Sequence, residues 1–343
     1  MKKLALLCVA AFLYTGTVTA QNNGEFSGLL FGDYYWMASN NNEEIEGENG
    51  FWIRRIYLTY DRDLSDSFST RIRLEMNSEG DFTTSSKLLP VVKDAYLKWK
   101  SGGHSVLAGI SSTPTFALSE DVWGYRSVEQ APLDLFDFGS SRDFGIAATG
   151  KLGAEGRLRY NLMFGNGNSN KSEVNKGKKW MLSLAYYLTS RFVIEGYVDW
   201  NDQTGNTDTY TYKGFAGYQS ESFNAGFVYA RQTRDNFFTS EVQNTDLELD
   251  IVSAFANFAI SQKTTGLLRV DHIFEPNPDL IDNDYLPFNA EAESTLLLAG
   301  LDIELDEHVH LIPNIETILY GKNSAGETPA TDILPRMTLF FTF

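Results

Sequence analysis

The residues best placed to do chemistry are cations spaced two apart. Arg71 and Arg73 sit in FSTRIRLEM, Lys98 and Lys100 in LKWK, Arg157 and Arg159 in GRLRYNLMF, and Arg55 follows the same parity in FWIRRIYLTY. Residues two apart in an extended strand share a face, so each pair forms a short ladder of positive charge on one side of a sheet. Such ladders attract and guide anions. Carboxylates answer them in two places. Residues 112 to 143 carry Glu120, Asp121, Glu129, Asp134 and Asp137, and the second half of the chain gives the same inward parity to Glu195, Asp199, Asp302, Glu304 and Glu316, with Arg269 beside Asp271. With Glu75 and Asp94 included, eight basic and eight acidic residues share the inward face, balanced in sum but divided between the two halves. A basic wall facing an acidic segment makes a transverse field, which favours small polar solutes over apolar ones.

Bond-breaking chemistry has little to work with. The four histidines are His104, His272, His308 and His310, and only His272 follows an Asp directly. Adjacent strand residues point to opposite faces, so Asp271 cannot orient His272 within one strand, and an enzyme is not expected. His308 and His310 share a strand face, but two ligands do not make a metal site. The acidic run DLIDND at 279 to 284 lacks the twelve-residue calcium loop and reads as solvated charge. Nothing implies a cofactor, and a formal net charge of −17 offers no surface to nucleic acid.

The elements that must hold these charges are strands. FSTRIRLEM alternates Phe68, Thr70, Ile72, Leu74 and Met76 against Arg71, Arg73 and Glu75, and RFVIEGYVDW sets Phe192, Ile194, Val198 and Trp200 against Glu195, Tyr197 and Asp199. Strict alternation of this kind marks half-buried strands and fits no helix. Sixteen are expected, beginning near 25, 51, 67, 91, 104, 142, 156, 179, 191, 209, 223, 246, 264, 294, 307 and 334. Short connections (63–67, 101–103, 152–156, 188–190, 220–222, 261–263, 306–307) alternate with long ones such as 39–50, 166–178 and 275–293.

Mean hydropathy is only −0.25, yet aromatics make up 14% of the chain. That combination suits a closed transmembrane barrel, in which lipid-facing and lumen-facing residues alternate and cancel in any hydropathy window. Tyr35, Trp36, Trp52, Tyr60, Trp99, Trp180, Tyr186 and Trp200 fall at strand ends, as aromatic girdles would require. The fold class is therefore all-β: a transmembrane antiparallel β-barrel of about sixteen strands, with long outer loops and short periplasmic turns. A barrel of that size leaves a lumen too wide for its own side chains to fill. Residues 112 to 143 are long for a loop and rich in Phe, Leu and Trp, so they are expected to fold inward and narrow the pore.

The first twenty residues, MKKLALLCVAAFLYTGTVTA, have the basic start, apolar middle and small-residue end of a signal peptide. Its removal leaves 21–343 as one barrel domain, takes away Cys8, the chain's one cysteine, and moves the net charge to −19 because Lys2 and Lys3 go with it.

Segments 51–76, 92–100, 107–129 and 140–152 resemble the phosphate-selective porin family of Gram-negative outer membranes. They are similar to its paired-arginine second strand, its third strand, its Asp-Ala-Tyr fourth strand and its passage from strand to constriction loop ending in Arg-Asp-Phe-Gly. The resemblance implies a homotrimer in outer-membrane lipid that passes small hydrophilic solutes or anions by diffusion. The last residue, Phe343, also resembles the aromatic C-terminal signal by which the barrel-assembly machinery recognises such chains. A rival expectation is an adhesin whose loops 166–178 and 275–293 bind a partner.

Overall fold

The computed structural model describes residues 24–78, 82, 87–238, 244–283 and 285–343; the leader expected at 1–20 lies outside the described residues, as does Asp284. The strands are β1 Glu25–Trp36, β2 Asn49–Asp63, β3 Phe68–Asn77, β4 Leu89–Ser101, β5 His104–Ser112, β6 Arg142–Leu152, β7 Leu158–Gly165 and β8 Lys179–Tyr187. They continue as β9 Phe192–Asn201, β10 Thr209–Gln219, β11 Phe223–Phe238, β12 Thr245–Ser261, β13 Thr264–Ile273, β14 Ser294–Asp306, β15 Val309–Tyr320 and β16 Asp332–Thr342. Every expected start lies within two residues of the observed one. Two short helices, α1 Ala117–Trp123 and α2 Pro132–Leu135, interrupt the long connection between β5 and β6.

The strands pair antiparallel in chain order, and β1 pairs with β16 to close the barrel. That seam runs from Leu29 opposite Thr342 to Tyr35 opposite Arg336. It extends to the last residue: Gly28 N–H donates to the Phe343 carbonyl at 2.8 Å, and Phe343 N–H donates to the Gly28 carbonyl at 3.0 Å. Lipid offers no hydrogen-bond partner, so closure is what satisfies both edge strands.

Alternation decides which residues meet lipid. The outward face is apolar at mid-strand, with Ile72, Leu74, Ile146, Leu162, Leu184, Val198, Leu268 and Leu297. Aromatic side chains such as Trp36, Trp180, Trp200, Trp99 and Tyr186 lie toward the strand ends. Tyr35 and Trp52 are corrections to the expected girdle. Their neighbours Tyr34, Trp36 and Phe51 take the outward positions, and the two rings turn inward to pack on each other and on Phe82.

Two β-bulges break the alternation where it matters. Pairing steps from Phe31–Arg55 to Gly32–Ile53, leaving Arg54 as the extra residue of β2, and from Arg73–Asp94 to Leu74–Val92, leaving Lys93 as the extra residue of β4. An extra residue re-aims the side chains beside it. Arg54 and Arg55 therefore both face inward, as do Lys93 and Asp94, and all four reach partners inside the barrel. The strand opposite the first bulge must come close: a Cβ at Gly32 would sit 2.5 Å from the Trp52 carbonyl oxygen.

The lumen is not evenly open. On the β10–β16 side, inward Phe215, Val228, Leu249, Phe255, Leu296 and Ile318 form one apolar core with residues from the β5–β6 connection and from the β13–β14 connection. That side of the lumen is thus packed, and the water-reached charges of the wall lie toward β2–β6.

Candidate functional site: the constriction inside the barrel

The β5–β6 connection folds inward, as expected. Helix α1 ends where Gly124 takes a left-handed φ of 72° and its N–H caps the Glu120 carbonyl; α2 begins with Pro132 in its first turn. Apolar side chains anchor the segment: Val122 and Trp123 are buried against β10–β12, with the Trp123 ring 5.3 Å from that of Phe255. Short helices leave many carbonyls without internal partners, and buried carbonyls need donors. The wall supplies them. Lys213 donates to the Thr115 carbonyl at 2.7 Å, Asn257 to Trp123 at 2.6 Å, Arg54 to Ser127 and Val128 at 2.5 and 2.6 Å, and Gln232 to Phe138 at 2.8 Å. The segment is pinned along its length from four strands.

A second connection also enters the lumen, which corrects the expectation of a solvated outer loop at 275–293. A 3₁₀ turn at Pro278–Asp282 leads into buried Tyr285, Leu286 and Phe288, and Asn277 and Asn283 donate to the Phe136 and Leu135 carbonyls of the constriction segment. The acidic residues had drawn attention away from the apolar ones between them. The Tyr285 ring lies 5.1 to 5.4 Å from the guanidinium carbons of Arg126, Arg54 and Arg55. It provides an aromatic face shared by three cations, which offsets part of their mutual repulsion.

The open side is lined by charge from both faces. On the wall, Glu75 holds Arg55 at 2.6 Å and Lys93 at 2.9 Å, while Asp94 holds Arg142 at 2.5 Å and Arg73 at 3.4 Å. From the constriction segment Arg126 lies 3.7 Å from Glu120 and 3.8 Å from Asp134. Water reaches these groups: the side chains of Arg73 and Glu120 are 21% and 30% exposed. Burial raises the Glu120 carboxyl above the usual range, against the pull of Arg126.

The seam carries a different kind of network. Asp33 of β1 holds Arg54 at 2.8 Å, Glu129 lies 3.8 Å from Arg54 and 3.2 Å from Arg336 of β16, and Arg336 reaches Glu316 of β15 at 3.1 Å. All five side chains are fully buried. Burial pushes the Glu129 carboxyl up, but Arg336 and Arg54 outweigh it and hold it low. These charges serve structure rather than passage.

No protein-family model and no curated protein matches the chain. Solved structures do match over 94% of it. They include an anion-selective porin from Comamonas acidovorans (TM-score 0.68, 10% identity, all of that chain covered), OmpT of Vibrio cholerae in a trimer form (0.62, 12%, 99%) and OmpF of Salmonella typhi (0.63, 13%, 98%). The fold is the porin fold. At these identities the likeness concerns architecture alone.

Within that porin fold the cations expected to line the pore divide into two groups. Arg55, Arg71, Arg73 and Arg157 are paired, with Glu75, Asp61, Asp94 and Glu155; the Arg71–Asp61 contact is bidentate at 2.8 Å, and the Arg157 pair sits in a short turn. Lys98, Lys100 and Arg159 have no carboxylate partner among the described residues, and Arg159 stacks on Tyr187 at 4.1 Å. Of the constriction carboxylates, Asp121 and Asp137 are exposed, Glu120 and Asp134 are half-buried, and Glu129 is turned into the wall.

The expected division into a basic and an acidic half is overturned. Glu195 pairs with Lys213, Asp199 with Lys179, Asp271 with Arg269, Glu316 with Arg336, Asp302 with His310, and Glu304 lies 3.9 Å from Lys263. The count of inward cations had left out Arg54, Lys93, Arg126, Arg142, Lys179, Lys213, Arg234 and Arg336. The doublets Arg54-Arg55 and Lys93-Asp94 were the available signal, since two adjacent charges in mid-strand cannot both avoid lipid without a bulge. Among the described residues no three His, Cys, Asp or Glu side chains cluster as a metal site.

Proposed function

We propose that the protein is an outer-membrane channel for passive diffusion of small hydrophilic solutes and ions. The observation that carries this reading is the water-accessible band of opposed charge, Arg73, Lys93 and Arg142 on the wall facing Glu120 and Arg126 on a firmly pinned inward loop. A packed β-sandwich core would hold no such band. The narrow charged passage admits small polar solutes and resists apolar ones.

Selectivity follows from which charges lack partners. Lys98, Lys100 and Arg159 lie near the short turns, and they give the passage a mild anion preference. This is the part of a phosphate-selective reading that the residues support; a dense ladder of unpaired cations is not among the described residues. A cleaved signal peptide at 1–20, export to the outer membrane of a Gram-negative bacterium, recognition of Phe343 by assembly machinery and a homotrimer complete the proposal. The trimer form of the Vibrio cholerae neighbour supports the last of these.

Purified protein in a planar lipid bilayer should give ohmic current steps and a reversal potential in a chloride gradient displaced toward anions. Absence of steps removes the channel reading. In that case the rival surface-binding reading would rest on loop 166–178 alone, because 275–293 is folded into the barrel.

A further inference from the structure

Between the constriction segment and the long-loop ends of β6–β11 lies a cavity of about 660 Å³, which none of the charged passage residues except Arg142 lines. That volume is within the ~300–1,000 Å³ of small-molecule sites. We propose that this vestibule binds neutral polyhydroxylated solutes, saccharides of one or two rings, ahead of the constriction. The inference rests on the channel reading and adds a substrate class to it.

The lining carries four acidic and four basic residues, so its formal charge sums to zero. Most of those charges are already engaged. Arg142 is held by Asp94 at 2.5 Å, Lys179 by Asp199 at 3.0 Å and Arg234 by Asp279 at 2.5 Å, while Asp143 accepts from the N–H groups of Phe144 and Gly167 at 2.8 Å. An ionic ligand would have to compete with these pairs. The lining charges held by neither an ion pair nor a backbone donor among the described residues, Lys171, Asp137 and Asp235, sum to one negative charge, which disfavours an oxyanion. Beside them the uncharged side chains of Ser140, Asn201, Gln203 and Thr209 line the space and make no hydrogen bond to a described residue. Hydroxyls and carboxamides each donate and accept, which matches the hydroxyls of a sugar and not an oxyanion, whose oxygens only accept. Phe237 adds an apolar face to the same cavity, against which the C–H face of a sugar ring can lie.

The test is current recording with sucrose added on the long-loop side, for the wild type and for Gln203→Ala, Thr209→Val and the double variant, each required to give ohmic steps as proof of a formed barrel. Sucrose should cause reversible interruptions whose duration falls roughly tenfold in the double variant, as expected for loss of two hydrogen bonds. Inorganic phosphate at the same concentration should cause no interruption sensitive to these variants. Ohmic steps without sucrose interruptions, interruptions unchanged in all three variants, or variant-sensitive interruption by phosphate alone would each overturn the vestibule proposal while leaving the channel intact. No steps in any protein, the wild type included, would remove both.

Discussion

Asp137 shows how one residue's surroundings set a measurable property. It adopts a left-handed φ of 56° at the edge of the vestibule, and although its surface is exposed, the protein atoms crowded around its carboxyl and then the neighbouring Asp279 raise it to about 6. As pH falls through 6 the group takes up a proton and a negative charge leaves the mouth. The reversal potential should therefore move toward anions between pH 7 and 5, and Asp137→Asn, which tolerates the same backbone, should abolish that shift. Because the folded chain holds this proton more tightly than the unfolded one, the group also makes the protein less stable as pH rises from about 4 to 6. At the other mouth, Lys98→Gln with Lys100→Gln should move selectivity toward cations, whereas Arg71→Ala frees Asp61 and adds its charge to the same shift. Salt-gradient potentials check both. The inward place of Arg71, Lys98 and Glu195 was legible because alternation is a local property of a strand. That of Arg54 and Lys93 was not, because each depends on a slip in pairing with the preceding strand, which the alternation of one strand does not record.

At the scale of elements, the constriction segment stays in place because wall donors meet its carbonyls and a single apolar face meets the core. Trp123→Ala removes the largest buried side chain of that face and should cost about 3–5 kcal/mol of docking. The expected outcome is a larger, noisier single-channel conductance, since the loop then leaves the lumen for part of the time. Asn257→Leu removes one donor from the Trp123 carbonyl and should act in the same direction with a smaller amplitude. The strands and the inward course of 112–143 were readable from period and from an apolar content too high for a solvated loop. The inward course of 275–293 was hidden: its carboxylates and its Tyr285, Leu286 and Phe288 alternate without a period, so composition alone could not show which of them would be buried.

The whole molecule is tied together at its seam. Arg336→Leu would leave Glu316 without its cation and Glu129 with Arg54 alone in a fully buried site, a loss of about 3–5 kcal/mol, and the folded, heat-modifiable form should decline on a gel. Deleting Phe343 removes the last backbone pair with Gly28, and yields of folded protein should fall there too; unchanged yields would separate the terminal residue from assembly. The network has a further consequence in time. Asp33 and Arg54 precede Glu129 in the chain, and Arg336 follows Glu129 by 207 residues. The inward loop thus takes one of its counter-charges from the strand that closes the barrel, so the constriction is completed only when β16 meets β1 and the wall is shut around it.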